Sequence, residues 1–229
     1  MSRITDIFFD LDHTLWDFEP NSDAAFEKLL KQHNINVSIV DFIETYRPIN
    51  HQYWDNYSRG IVTKAQVRKG RLIDTFEKLS ATVSDEMIER LADDYLIFLR
   101  EETRLFQGAI SLLEYLQEKY KLHILTNGFN EVQSHKLKNA KIDFFFKTVT
   151  TSEEAGKLKP HPDIFNYALK KADVFAQHSV MIGDNLKTDI LGAKNVGMFV
   201  IHFDPEQQNN IDREIIPKVN HLLQIKEIL

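Results

Sequence analysis

The chain has 229 residues, 43% of them hydrophobic, which is enough to build a buried core and excludes disorder by composition. Lys and Arg number 28 against 34 Asp and Glu, a net charge of −6, so nucleic-acid binding is not expected as a main role, while a small phosphate compound needs only local positive charge. Cysteine is absent, which removes disulfide frameworks, thiol nucleophiles, iron–sulfur clusters and cysteine zinc sites together.

The first predicted element is the apolar run Ile4 to Phe9, which ends abruptly in Asp10-Leu11-Asp12. Its interior is almost wholly apolar, as suits a strand buried on both faces of a parallel sheet. From Asn21 to about Glu102 the pattern turns helical, with no convincing strand. Ala24 to Leu30 reads as one helix and Val40 to Tyr57 as a second. Thr63 and Gln66 form a capping box for a third helix running to Leu79, and Ser84 can cap a fourth that carries Met87, Ile88, Leu91, Tyr95, Phe98 and Leu99 on one stripe.

After Gly108 helices and strands alternate: a helix at Ile110 to Lys119, a strand at Leu122 to Leu125, a helix at Val132 to Asn139 and a strand at Phe146 to Val149. A helix at Ile164 to Ala172, a strand at Ser179 to Ile182, a helix at Asp189 to Asn195 and a strand at Phe199 to Ile201 follow, then an amphipathic helix over Val219 to Ile228. This alternation predicts an α/β fold, a Rossmann-like parallel sheet covered on both faces, with the helical block inserted between its first and second strands. The N-terminus meets acidic residues too early for a signal peptide, and no apolar run approaches the roughly 18–20 residues of a membrane span. A soluble, cytoplasmic protein with no membrane partner is expected.

Sites in parallel α/β sheets form at the carboxyl ends of the strands. Polar residues collect at three such ends: Asp10 and Asp12, then Thr126-Asn127-Gly128, then Gly183-Asp184-Asn185 with Asp189. Either of the last two alone could be a turn and a helix cap. Two aspartates two residues apart after a buried strand set like charges together, at a cost that a divalent cation or a retained proton relieves. Magnesium, which takes a few carboxylates, waters and phosphate oxygens, suits Asp10 and Asp184. Lys159 lies beyond a further strand end in a loop stiffened by Pro160 and Pro162.

Taken together, these residues resemble the haloacid dehalogenase superfamily in its magnesium-dependent phosphatase branch. Its four motifs occur in order: Asp10-Leu11-Asp12-His13-Thr14, Leu125-Thr126-Asn127, Lys159-Pro160, and Gly183-Asp184 through Asp189. The resemblance spans nearly the whole chain and makes the helical insertion a cap domain, with an expected core at 1–15 and 104–229 and a cap at 16–103. His13 departs from the glycine that many members carry. The resemblance implies that Asp10 is a nucleophile forming an aspartyl-phosphate, and that Asp12 is the acid and base. Thr126 and the Asn127 backbone would hold phosphoryl oxygens, Lys159 would neutralise charge, and Asp10, Asp184 and the Asp12 carbonyl would bind Mg2+. Asp189 would support the site from behind, or position Lys159. Four carboxylates and a phosphate dianion outweigh magnesium and one lysine, an excess that favours a proton on the carboxylate acting as acid.

The implied substrate is a small-molecule phosphomonoester. Within the superfamily the segment Asp10 to Phe18 and the cap most resemble pyrimidine 5′-nucleotidases, and the protein is expected to be a monomer or weak homo-oligomer. Sugar phosphates or phosphoglycolate, turned over by a phosphatase or a phosphomutase, are the alternative substrates. A 2-haloacid dehalogenase has no use for an acid at Asp12. The nine histidines lack any metal-binding pair of the His-Glu-x-x-His kind. Arg68 and Arg71 read as a solvated helix face that could meet substrate from a cap. Trp16, Phe18, Tyr53 and Trp54 read as core or as the border of the site.

Overall fold

The computed structural model describes residues 3–207 and 216–229. Its sheet consists of β1 (Asp6–Phe9), β2 (Lys121–Thr126), β3 (Phe146–Thr151), β4 (Ser179–Gly183), β5 (Phe199–Phe203) and β6 (Lys218–Val219). All pairings are parallel, in the order β3-β2-β1-β4-β5-β6. This is the predicted Rossmann-like α/β fold. The chain forms two compact units, Met1–Phe18 with Thr103–Leu229, and Glu19–Glu102.

Within the sheet unit, β1 pairs on one side with β2 and on the other with β4, so Phe9 is level with Ile124 and Ile182. One residue further along come Asp10, Leu125 and Gly183, which brings the polar strand ends to one edge. Because the strand order reverses at β1, the crevice of a doubly wound sheet opens there. Phe8, Met181 and Val200 are buried at one level of the sheet against Ile164 and Phe165 of the helix Pro162–Ala172 and Ala193 of the helix Gly192–Asn195. No helix among the described residues is long and apolar enough to cross a membrane.

The other unit holds α1 (Phe18–Gln32) from its second residue on, with α2 (Ile39–Ser58), α3 (Lys64–Lys78) and α4 (Asp85–Glu101). Ser84 caps α4, and the capping box of Thr63 and Gln66 opens α3. Phe26 stacks on Tyr95 with ring centroids 4.2 Å apart and meets the edge of Tyr46 at 4.4 Å. Arg71 does not lie on a solvated face: it is buried, donates to Asn50 Oδ1 at 2.7 Å, and sits 5.1 Å from the Tyr95 ring centroid. Arg68 pairs with Asp93, and the Tyr53 hydroxyl donates to Asp74 at 2.9 Å.

Three segments differ from the sequence reading. Residues 217–219 are captured by the sheet edge, where the N–H groups of His202 and Asp204 donate to the Pro217 and Val219 carbonyls. The expected helix over Val219 to Ile228 is therefore β6 followed by a 3-10 segment, Leu222–Glu227. The helix expected from Asp189 begins earlier, as a π-helical segment Leu186–Leu191, because the Asn185 side chain accepts the N–H groups of Lys187 and Thr188. A short helix, Ser152–Ala155, follows β3 where the sequence offered only a loop.

Candidate active site

β1 delivers Asp10 directly to the crevice, with its N–H still donating to the Ile182 carbonyl at 2.9 Å. The chain then folds into a tight loop in which the Leu11 carbonyl accepts from the N–H groups of Thr14, Leu15 and Trp16. His13 takes a left-handed conformation, φ 64°, inside that loop, which accounts for the suitability of glycine at this position. The ring of His13 lies 4.7 Å from that of Phe18. The loop returns Thr14 to the sheet, where its hydroxyl donates to Asp184 Oδ1 at 3.1 Å.

Lys159 is the centre of the charge cluster. It is 2% exposed, and its ammonium donates to Asp10 Oδ1 at 2.6 Å and to the Leu125 carbonyl at 2.8 Å, and pairs with Asp189 Oδ1 at 2.7 Å. An ammonium has three donors, so all three are committed. Burial alone would lower the Lys159 pKa, but Asp10 and Asp189 outweigh it and hold the side chain protonated. Asp10 is pushed up by burial, opposed by Lys159 and reinforced by Asp189 and Asp184. Burial, with Asp189 adding, pushes Asp184 up to about 7.

The loop carrying Lys159 is held by Asn127, whose side chain donates to the Lys159 carbonyl at 3.0 Å and accepts from its N–H at 2.8 Å. The Asn127 side chain is thus occupied, and its carbonyl accepts from the Ser152 hydroxyl at 3.3 Å, so its backbone N–H is the group that could meet a ligand. Asp189 is fixed from behind by the Asn185 N–H at 3.1 Å. A Cβ on Gly183 would lie 2.4 Å from Asp189 Oδ2, so this close approach of strand and carboxylate requires glycine.

Asp12 points elsewhere. Its Oδ1 meets Lys136 Nζ at 2.5 Å, and its Oδ2 accepts from Gln133 Nε2 at 2.8 Å. Gln133 also donates to Thr126 Oγ1 at 3.1 Å, and the Gly128 N–H reaches the same oxygen at 3.0 Å. Gln133 and Lys136 lie on α5 (Asn130–Asn139), and Lys136 lies 3.7 Å from the centre of the Trp16 ring. Trp16 is therefore buried against a lysine. The sequence reading missed Gln133 and Lys136, and its charge tally lacked the cation at Asp12. The available signal was their place beside Val132 and Leu137 on the buried stripe of α5, where apolar residues are the rule.

Asp10, Asp184 and Asp189 each offer an oxygen within 4.8 Å of the others. The ammonium of Lys159 pairs with the buried Asp10 and Asp189, and the half-buried Asp184 beside them has no such partner among the described residues; desolvation first, and the charge of Asp189 second, raise its pKa. An all-oxygen donor set with surplus negative charge fits a hard divalent cation such as Mg2+. Asp189 is already tied to Lys159 and Asn185, which leaves Asp10 and Asp184 as the better ligands.

The model of the haloacid dehalogenase-like hydrolases matches residues 7–203. The chain belongs to this family. The hydrolase YfnB of Bacillus subtilis is 31% identical over 95% of this chain and 91% of its own length. A crystal structure of YfnB bound to magnesium superposes with a TM-score of 0.90 at 28% identity, covering 100% of this chain and 99% of that one. Pyrimidine 5′-nucleotidase YjjG of Escherichia coli is 31% identical over 84% of this chain and 82% of its own. Glyceraldehyde 3-phosphate phosphatase of Pyrococcus abyssi is 35% identical over 86% and 80%.

Proposed function

We propose that this haloacid dehalogenase-like hydrolase is a magnesium-dependent phosphomonoester phosphatase, working through an aspartyl-phosphate on Asp10 and acting on nucleoside 5′-monophosphates, with the unit Glu19–Glu102 as its cap domain. One observation carries the phosphatase reading. The two aspartates of the first motif have opposite surroundings, Asp10 in the acid–lysine cluster and Asp12 apart from it between Lys136 and Gln133. A nucleophile and a proton carrier need this division, and a dehalogenase has no task for the second.

Asp10 and Asp184 would hold Mg2+ with the Asp12 carbonyl, and the ion when bound offsets the negative charge of carboxylates and phosphate. Lys159 opposes the upward push on the Asp10 pKa and, itself held by Asp189, orients the Asp10 carboxylate. Thr126 Oγ1 accepts two hydrogen bonds, from Gly128 and Gln133, so its own O–H is left to donate to a phosphoryl oxygen. A carboxylate oxygen of Asp10 attacks phosphorus while the bond to the leaving oxygen breaks, and protonated Asp12 gives that oxygen its proton. Asp12, now a carboxylate, takes a proton from water as the water oxygen attacks phosphorus. The Asp10–phosphorus bond breaks, releasing phosphate and restoring Asp10.

The likeness to YjjG supports the nucleotide substrate, and the likeness to the Pyrococcus phosphatase supports a triose phosphate as a second reading. Comparing kcat/KM for nucleoside 5′-monophosphates, sugar phosphates and phosphoglycolate, with magnesium and with chelator, tests both levels. Nucleotides should lead the panel and chelator should abolish turnover. A lead for sugar phosphates overturns the substrate, and hydrolysis undiminished by excess chelator overturns the magnesium-dependent mechanism.

A further inference from the structure

Lys136 is a buried cation that neither the nucleophile nor the acid–lysine cluster uses. It is 1% exposed, ion-paired with Asp12 Oδ1, and lies 3.7 Å from the Trp16 ring centroid and 5.2 Å from that of Phe18. Removing an ammonium from water is costly unless its position has a return, and a buried pair is seldom a net gain in stability. Gln133, 1% exposed, stands one turn earlier on the same helix face. Its amide has two hydrogens, and these reach Asp12 Oδ2 and Thr126 Oγ1. The reversed amide would set its oxygen against a carboxylate, so the orientation follows from the chemistry. Gly128 leaves the room: a Cβ there would lie 1.6 Å from Gln133 Nε2.

We infer that Gln133 and Lys136 are positioning residues that hold the Asp12 carboxylate in fixed register with Thr126. One amide spans the proton carrier and the hydroxyl that faces the phosphoryl group, and so sets the distance between them. Lys136 anchors the other oxygen and, through Trp16, ties it to the loop that carries Asp12. A carboxylate has about four lone-pair directions, so two remain for the leaving oxygen and the attacking water. Free rotation of Asp12 would cost the alignment that proton transfer needs. The inference rests on the phosphatase reading above.

Leaving-group dependence separates positioning from a merely structural role. The parameter kcat/KM reports steps up to phosphoryl transfer and is blind to later hydrolysis of the phosphoenzyme. Dinitrophenyl phosphate leaves without a proton, whereas an alkyl ester needs one. In the full chain with magnesium, Lys136→Met should lower kcat/KM for a nucleoside 5′-monophosphate by about 100-fold and for dinitrophenyl phosphate by less than about fivefold. Lys136→Arg, which still donates and still lies on Trp16, should recover most of the difference. Gln133→Met should show the same imbalance, and it decides the matter where Lys136→Met does not fold. Equal losses on both esters in the folded variants overturn the inference while the phosphatase reading stands. A wild-type chain inert toward both esters overturns that reading, and this inference with it.

Discussion

Replacing Lys159 with methionine removes the cation that the buried carboxylates of Asp10 and Asp189 share, beside the half-buried Asp184, with little change in shape. The ammonium makes contacts of 2.6, 2.7 and 2.8 Å to Asp10, Asp189 and the Leu125 carbonyl, and none has a replacement donor. Removing one partner of a buried pair costs about 3–5 kcal/mol. For a chain of this length that corresponds to a fall in Tm of roughly 10 °C. The loss should depend on pH with a definite sign. Lys159 lowers the pKa values of Asp10 and Asp184, which burial raises, so without the ammonium these two hold protons still more tightly in the folded than in the unfolded chain. Their stabilising contribution is then present at low pH and lost as pH rises. Thermal melts in chelator at pH 5.5 and 7.5 should therefore show a small deficit at the lower pH and the full deficit at the higher. A variant as stable as wild type at pH 7.5, or a deficit that does not shrink on acidification, refutes the shared-cation account.

Three further outcomes are expected. Asp184, raised to about 7 in the folded state from 3.8, contributes stability below that lower value that is lost as pH rises through 7; metal-free wild type should lose more Tm between pH 5.5 and 8 than Asp184→Asn, and millimolar magnesium should remove the difference. Asp10→Asn should lower turnover by at least about 1,000-fold with the melt intact, because an amide is not a nucleophile here; substantial residual activity counts against Asp10. Gly128→Ala should force the Gln133 amide from Asp12 and Thr126, costing about 1–3 kcal/mol in stability, with kcat/KM on alkyl esters reduced at least tenfold; unchanged activity would show that the amide has no part in the reaction.

Most of the fold was legible because its signals are local. Short apolar runs ending in Asp, Thr-Asn or Gly-Asp mark buried strands and their carboxyl ends, and capping residues such as Ser84 mark helix starts. The segment at 217–219 was not legible: its pairing depends on the free edge of β5, which no local pattern reveals. In the site, the acids announced themselves as motifs at strand ends. Gln133 and Lys136 did not, because a polar residue on a helix reads as solvent-facing until the partner is known. Lys136 meets Asp12 across 124 positions of sequence, a pairing that only the assembled sheet creates. Arg71 failed the same way, its burial resting on Asn50, Tyr46 and Tyr95 from other helices.

The placement of β1 between β2 and β4 has a consequence for synthesis on the ribosome. Asp6 pairs with Lys121 and with Ser179, so β1, the first of these strands made, has no neighbour until β2 is made and lacks its second until β4 follows. At about 5–20 residues per second the apolar segment Ile7-Phe8-Phe9 waits roughly ten seconds for its first neighbour and several more for its second. Meanwhile residues 19–102 have emerged, and they form a compact unit of their own. The helical unit thus has time to fold while a hydrophobic strand just ahead of it is still unpaired, the condition under which a nascent chain is most open to aggregation or chaperone capture.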